Sequence, residues 1–383
     1  MAGLSFDIFC RVVDNFGDIG VCWRLARQLA RMPGQRAVRL WVDDLHSFSR
    51  IEPRLDPYRD PPPIDGVELV HWTSPAPDLA PHDVAIEAFG CDPPVRFIER
   101  MACGDCLWIN LEYLSAEPWV ESCHAMPSLQ ANGVRKAFFF PGFTPRTGGL
   151  LREPGLLSDR DAWLADPRQR THLLRKTGLP EPQIALLQKA DLPGLKMTPP
   201  PNRARQIVLF SYPDAPADSL LDVLSEQAVP TVIMVPAGVC PALARGQQGA
   251  AYVHEMPFVA QADFDRLLWS SDLNCIRGED SLVRAIWAGK PLLWHIYPQD
   301  GDAHMKKLAA WLALAPVGPE HAKLMTAWNL GDRHACAALL RQALSPAGWA
   351  DWQAASTAWA AQQAELPDLA ETLIRFCRKM QKS

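Results

Sequence analysis

Two carboxylates stand close together in a short turn near the start of the chain, at Asp14 and Asp18. The turn ends at Gly20 and also contains Gly17, and glycine lets the backbone approach a bound group closely. A pair of acids so placed can remove a proton from a substrate or hold its positive charge. The structural alternative is that Asp18 caps the next helix and Asp14 makes a turn hydrogen bond. The turn alone favours this structural interpretation.

A second group of residues that can carry chemistry occupies positions 277–281, between a strand predicted at 273–276 and a helix predicted at 281–288. The start of a helix presents free N–H groups and a partial positive charge, which favour phosphate. Gly278 permits close approach there, Ser281 can donate to a phosphate oxygen, and Arg277 can neutralise it. Glu279 and Asp280 would repel a diphosphate. They suit sugar hydroxyls, or alternatively act as caps and dipole partners of the helix.

A third group is aromatic. Phe210 and Tyr212 follow the apolar run that opens the second half of the chain, and Phe258 and Phe264 flank Gln261. Aromatic faces and one amide are what a pyrimidine base needs, because the base stacks on rings and its edge forms hydrogen bonds. Taken alone, aromatic residues at strand ends are more often part of the core. The group gains weight from the predicted phosphate site in the same half.

Other motifs are set aside. Cys103 and Cys106 have CxxC spacing, but without a second pair or a suitable histidine they do not predict a zinc site. His295 and His304 lie at or beyond a strand end, where an isolated histidine is usually structural. The sequence contains no Walker loop, no GxGxxG after the first strand and no nucleophile elbow, which argues against kinases, dehydrogenases and α/β-hydrolases.

Composition narrows the class of protein. The 383 residues carry a net charge of -5 and 48% hydrophobic residues, which is typical of a globular protein with a sizeable core. No excess of Lys and Arg is present to neutralise phosphates, so general nucleic-acid binding is not expected. We expect neither a secretory signal nor a membrane span. Ten scattered cysteines suit a reducing compartment, and the predicted location is the cytoplasm.

The elements that must position these residues alternate between strand and helix. An apolar run at 6–13 precedes an amphipathic helical pattern, and further strand-like runs are predicted at 37–42, 67–71, 84–88, 106–111 and 137–140. A second alternation begins at 206–210 and ends with a strand at 291–296. Alternating strands and helices indicate βαβ units with mainly parallel sheets.

The predicted architecture is therefore α/β, with two Rossmann-like domains facing each other across a cleft. We expect a first domain at 1–190, a proline-rich linker at 191–202 and a second domain at 203–361. The last helix, at about 362–383, is expected to return to the first domain. Residues 142–155, with Arg146 and Arg152, are predicted to form a mobile surface loop near the edge of the domain, as part of an acceptor site.

The first two motifs resemble the signatures of a known family. Residues 7–26, which include the Asp14–Gly20 turn, are similar to the amino-terminal signature of the EarP family, and residues 277–281 are similar to its second signature. These enzymes are GT-B glycosyltransferases, protein-arginine rhamnosyltransferases that modify bacterial elongation factor P. The similarity extends along the whole chain.

The resemblance implies an inverting transfer of L-rhamnose from dTDP-β-L-rhamnose to an arginine of elongation factor P, without a metal or cofactor. It implies that Asp14, Asp18 and Glu279 are needed for activity. The implied nucleotide site consists of Phe210, Tyr212, Phe258, Gln261, Phe264, Asp280 and Ser281, to which we add Arg277 and Gly278. The acceptor-side loop would contain Asn15, Phe16, Gly17 and Gly20.

The implied chemistry suits the two acids. A guanidinium has a pKa above about 12, so its nitrogens are poor nucleophiles until a proton is removed. We expect Asp18 to be the general base and Asp14 to orient the guanidinium, and the reverse assignment stays open. Two alternatives also stay open: another GT-B enzyme of sugar nucleotides, such as an epimerase or a small-molecule or lipid-directed transferase, and a non-catalytic protein that binds a nucleotide sugar.

Overall fold

The computed structural model describes residues 3–13, 16–34, 36–188 and 204–382. Its internal contacts divide the chain into two compact units. The first unit comprises Met1–Pro154 and Gln363–Ser383, and the second comprises Gly155–Gln362. The expected linker at 191–202 lies outside the described residues.

The first unit is a layered α/β structure. Its elements up to residue 139 are β1 (Phe6–Cys10), α1 (Gly17–Arg31), β2 (Val38–Val42), α2 (Leu45–Ile51), β3 (Val67–His71), β4 (Val84–Ala88), α3 (Val95–Met101), β5 (Leu107–Leu111), α4 (Trp119–Cys123), β6 (Pro127–Ser128) and β7 (Lys136–Phe139). The strands form one sheet in the order β3-β2-β1-β4-β5-β7-β6, parallel except for β6. The strand order reverses between β1 and β4, and ligands of open α/β sheets bind outside the carboxyl ends of strands at such a point.

Apolar strands build the core of this sheet. All five residues of β1 are buried, as expected for a central parallel strand that is covered on both faces. Asp7 lies within β1, and its carboxylate accepts hydrogen bonds from Arg39 at 2.7 and 3.0 Å and from Trp41 Nε1 at 2.9 Å. These bonds satisfy the buried charge, so Asp7 belongs to the scaffold.

The second unit begins with three helices and continues as a second α/β layer structure. Its elements are α5 (Leu156–Leu164), α6 (Pro167–Lys176), α7 (Glu181–Gln188), β8 (Arg205–Leu209), α8 (Ala217–Ser225), β9 (Thr231–Pro236), β10 (Gly246–Gln248), β11 (Ala251–Met256), α9 (Gln261–Ser270), β12 (Leu273–Arg277), α10 (Gly278–Ala288), β13 (Leu292–His295), a short 3₁₀ turn (Asp300–Asp302), α11 (Ala303–Leu314), α12 (Pro319–Asn329), α13 (Arg333–Ala343) and α14 (Pro346–Ala364). The sheet order is β10-β11-β9-β8-β12-β13, parallel except for β10. Here the order reverses between β8 and β12. The α/β class with two Rossmann-like sheets is confirmed.

The contacts correct the expected boundary of the first domain at residue 190, because α5 to α7 pack within the second unit. The guanidinium of Arg170 donates to Gln206 Oε1 at 2.9 and 3.2 Å. The rings of Trp163 and Trp269 lie 6.1 Å apart, edge to face. A helical pattern shows which face of a helix is apolar, but it does not show which sheet that face will cover.

The last helix, α15 (Leu369–Met380), lies in the first unit. The N–H of Leu369 donates to the carbonyl of Leu150 at 3.0 Å, and Arg152 donates to the carbonyls of Ala364 and Leu366. Leu150 and Leu151 are buried. The stretch predicted as a mobile surface loop at 142–155 is thus largely packed structure. In the described part of the chain, no helix is both long and apolar enough to cross a bilayer.

Candidate active site

Of the two acids expected in the turn between β1 and α1, Asp18 is the one that the structure describes. Asp14 and Asn15 lie outside the described residues. Asp18 lies in the first turn of α1 and is only 2% exposed, and its Oδ2 accepts a hydrogen bond from the N–H of Val13 at 2.9 Å. A carboxylate at this position also interacts favourably with the positive end of the helix. Asp18 is therefore fixed at the carboxyl end of β1, beside the reversal of strand order.

The structure revises two expectations about this turn. The residue that precedes α1 is Phe16, and it makes no side-chain capping bond, so Asp18 is inside the helix and is not its N-cap. Gly17 and Gly20 are also helical, and the N–H of Gly20 donates to the carbonyl of Phe16 at 2.9 Å. Phe16, Gly17 and Gly20 thus form the start of a helix, where a loop was expected.

Two buried thiols lie next to Asp18. The hydrogen bond that the Cys10 thiol donates to Cys22, followed by burial, raises the pKa of Cys10. Burial raises the pKa of Cys22, and the negative charge of Asp18 raises both. Both thiols therefore stay protonated at neutral pH. The role of Asp18 as a proton acceptor stays a prediction.

The second expected site begins at Arg277, the last residue of β12. Helix α10 starts at Gly278, three residues before the predicted start at Ser281, and its N-cap residue is Arg277. Asp280 and Ser281 are therefore residues of the first turn and not caps. Gly278 has a φ of 65°, a left-handed conformation that glycine adopts without strain. Its carbonyl accepts a hydrogen bond from Trp294 Nε1 at 2.9 Å, which fixes the start of the helix.

Asp280 is held inside the second unit. Its Oδ2 accepts a hydrogen bond from Arg284 Nε at 2.7 Å. Nη1 of the same arginine donates to both carboxylate oxygens of Asp265, at 2.8 and 2.7 Å. Arg284 is buried, and Asp280 and Ser281 are nearly so. Arg284 thus joins α10 to α9 through Asp265 and also holds the Asp280 carboxylate, whose contact with a donor stays a prediction.

Arg277 lies over two of the expected aromatic rings. Its Cζ atom is 4.5 Å from the centroid of Phe210 and 4.9 Å from that of Tyr212. Attraction between the cation and the two ring faces holds the guanidinium in place. No carboxylate among the described residues forms an ion pair with Arg277. Its positive charge therefore adds to that of the N-terminus of α10, next to the reversal between β8 and β12.

The expected aromatic group is also brought together. Phe210 lies 6.4 Å from Phe258 and 5.5 Å from Phe264, in both cases edge to face. Phe210 and Tyr212 are buried, whereas Phe258 and Phe264 are partly exposed. Gln261 is the first residue of α9, between the two exposed rings in sequence. Phe258 and Phe264 thus both contact Phe210. The stacking of a base on these rings and its contact with Gln261 stay predictions.

Two contacts at this site were not predicted. Lys307 on α11 forms a salt bridge with Glu279, and both side chains are largely buried. The buried His295 packs edge to face on Tyr212 with centroids 5.4 Å apart. Burial lowers the pKa of His295 to about 4, with smaller contributions from Arg277 and His304 and an opposing one from Asp214. His295 is thus neutral at pH 7. No local pattern marks Lys307, because only the tertiary fold brings α11 to α10.

The chain has two Rossmann-like units. In the second unit a cation, aromatic rings and the start of a helix lie together where the strand order reverses. These features define the GT-B class of glycosyltransferases. The family described as elongation factor P (EF-P) rhamnosyltransferase EarP matches residues 6–378. A protein-arginine rhamnosyltransferase of Pseudomonas putida is 44% identical over 396 residues, covering 98% of each chain. The corresponding protein of Pseudomonas aeruginosa is 44% identical over 395 residues, covering 97% of this chain and 98% of the relative.

A solved structure described as the structural basis for EarP-mediated arginine glycosylation of translation elongation factor EF-P is also similar. It is 33% identical, with a TM-score of 0.61, over 98% of this chain and 99% of its own. The chain therefore belongs to the EarP family. Its activity is that of a protein-arginine rhamnosyltransferase.

Proposed function

We propose that the enzyme transfers L-rhamnose from dTDP-β-L-rhamnose to one arginine side chain of elongation factor P, with inversion at the anomeric carbon. The description of the family and that of the similar solved structure both name this acceptor. All ten cysteines are free thiols, which supports a cytoplasmic location. The donor and the stereochemistry follow from the family resemblance and from the chemistry of the two sites.

The single observation that carries the donor site is the placement of Arg277 over Phe210 and Tyr212 at the start of α10. In this proposal the thymine base lies among the aromatic side chains and Gln261. The diphosphate lies at the start of α10, near Arg277 and the hydroxyl of Ser281. These groups would stabilise the negative charge that develops on the leaving dTDP, without a metal.

Glu279 and Lys307 act as one unit in this proposal. The salt bridge with Lys307 limits the repulsion between Glu279 and the donor diphosphate, which was the difficulty raised by the sequence. It also fixes the Glu279 carboxylate in one orientation. We assign Glu279 to the binding of the donor, on the side of the sugar or of the diphosphate.

Asp18 is the proposed general base, and Asp14 is assigned to orient the guanidinium. One guanidinium nitrogen attacks the anomeric carbon and forms the new C–N bond. The bond between that carbon and the diphosphate oxygen breaks, and dTDP leaves with the electron pair. The proton lost by the nitrogen passes to Asp18. A single in-line displacement of this kind inverts the anomeric configuration.

The test is a transfer assay with purified enzyme, dTDP-β-L-rhamnose and elongation factor P, followed by the intact mass of the acceptor. The proposal predicts the addition of one deoxyhexose to an arginine and an α-linked product by NMR. An unmodified acceptor would contradict the acceptor or the donor assignment, and a β-linked product would contradict inversion. Epimerisation of the donor without transfer would favour the alternative class of sugar-nucleotide enzymes.

A further inference from the structure

An aromatic pair lies at the carboxyl edge of the first sheet. Phe89 directly follows β4, and Tyr113 follows β5 by two residues. Their rings are stacked, with centroids 4.3 Å apart and planes inclined by 14°. The N–H of Phe89 donates to the carbonyl of Leu111 at 2.7 Å, which ties the two strand ends together. Phe89 covers one face of the Tyr113 ring, and Tyr113 remains 38% exposed.

The backbone at Phe89 is strained. Its φ is 60°, in the left-handed region that a bulky side chain rarely adopts. The adjoining Cys91 donates from its thiol to the carbonyl of Phe9 at 3.3 Å, which holds this segment against the end of β1. Strain of this kind is concentrated at binding sites, where the surrounding structure fixes an unfavourable conformation. Here it places an aromatic ring at the edge of the sheet and under Tyr113.

The pair lies near the proposed base. β4 pairs with β1 on one side and with β5 on the other. With a strand spacing of about 4.8 Å, the ends of β1 and β5 are about 10 Å apart. The same edge therefore holds Asp18, the aromatic pair and Glu112, whose Oε1 accepts a hydrogen bond from Asn110 Nδ2 at 2.7 Å. Asp18 and Glu112 thus place two carboxylates at this edge.

We propose that Tyr113, supported by Phe89, binds the side chain of the acceptor arginine, with Glu112 as a second partner of the guanidinium. A guanidinium is planar and weakly hydrated, so it stacks on aromatic faces and pairs with carboxylates. A lysine ammonium lacks the planar face, and a sugar hydroxyl lacks the charge. The aromatic pair and Glu112 thus favour arginine over the other possible acceptor side chains. This inference rests on the proposed transfer to protein arginine and adds the residues that position it.

Steady-state kinetics test the proposal in the transfer reaction. Tyr113→Leu is expected to raise KM for elongation factor P about tenfold, as expected for loss of a cation–π contact, and to leave KM for dTDP-rhamnose unchanged. Tyr113→Phe keeps the aromatic face and should recover most of the affinity for elongation factor P that Tyr113→Leu loses. Tyr58→Leu removes a tyrosine that is 86% exposed elsewhere in the first unit and serves as the control. Equal rises in both KM values, or none, would overturn the proposal.

Fluorine NMR tests the proposed contact between Tyr113 and arginine in the absence of the donor and of elongation factor P. The chain has five tyrosines, so protein labelled with 3-fluorotyrosine gives few signals, and Tyr113→Phe identifies that of Tyr113. N-acetylarginine amide should shift the Tyr113 signal in a saturable manner, whereas the neutral citrulline analogue should not. A Tyr113 signal that responds to neither compound would overturn the proposal even if transfer to elongation factor P is observed. A response to arginine would support it even if elongation factor P proved to be the wrong acceptor.

Discussion

The guanidinium of Arg277 lies 4.5 Å from the ring centroid of Phe210, at the point where β12 passes into α10. Phe210 follows β8, and β8 and β12 are the neighbouring strands between which the order of the second sheet reverses. One contact thus joins the aromatic group to the start of the helix. The groups of residues predicted separately for a base and for a phosphate are therefore in contact with each other.

Replacing Arg277 by lysine should weaken donor binding while the fold is retained. Lysine keeps the charge but loses the planar group that lies over Phe210 and Tyr212, so the Kd for dTDP should rise about tenfold. Isothermal titration calorimetry measures this constant. Arg333→Lys, at an exposed ion pair with Asp218 in the same unit, is the matched control. Equal affinity of Arg277→Lys and the wild type would remove Arg277 from the donor site.

Lys307→Ala should slow transfer because Glu279 loses its partner. A displaced carboxylate near the reacting groups is expected to lower kcat by roughly tenfold or more. Lys307→Arg keeps a cation and should retain most of the rate. Lys306→Ala removes the exposed neighbour on α11 and should have no effect. If Lys307→Ala and Lys306→Ala have the same kcat, the salt bridge has no part in the reaction.

The two glycines that bound α10 allow a comparison within one helix. Gly278 and Gly289 both have a φ of 65°, so alanine at either position should cost about 1–2 kcal/mol in the free energy of unfolding. Only Gly278→Ala also alters the helix start, and only this variant should weaken dTDP binding. Urea denaturation and calorimetry measure the two effects. Weaker binding in Gly289→Ala as well would show that binding follows general stability and not the geometry of the helix start.

The low pKa of His295 predicts a dependence of stability on pH. Burial lowers this pKa from its ordinary value of 6.5 to about 4 in the folded protein. The unfolded chain therefore binds more protons in that range, and the stability present above pH 6.5 is lost as the pH falls towards 4. The urea midpoint should fall less between pH 7.5 and 5 in His295→Gln than in the wild type. Identical pH profiles would mean that His295 is not buried as described.

The sequence predicted most elements because apolar strands and helix periodicity are local features. The expected strands at 67–71 and 84–88 agree with β3 and β4 to the residue. The three-residue β10 begins with a glycine, Gly246, and has no apolar alternation, so it was missed. The boundary at 190 was misplaced because the partner of a helix face is a tertiary property.

The same distinction holds for the candidate site. Arg277, Phe210 and Phe264 were predicted because each stands next to a strand end or a helix start that can be recognised locally. Lys307 and Tyr113 were not predicted, because each was identified by its contact with a residue on another element, which the local sequence does not show. The start of α10 was placed three residues late because Gly278 and two acids resemble a turn more than a helix.

The measurement that tests the central claim most directly is the single-turnover rate of Asp18→Asn with saturating dTDP-rhamnose and elongation factor P. Asparagine keeps an oxygen that can accept the hydrogen bond from Val13, so the turn should be preserved. Loss of the general base should lower the rate at least about a hundredfold, with both substrates bound as in the wild type. A folded Asp18→Asn variant that transfers rhamnose at the full rate would contradict the account.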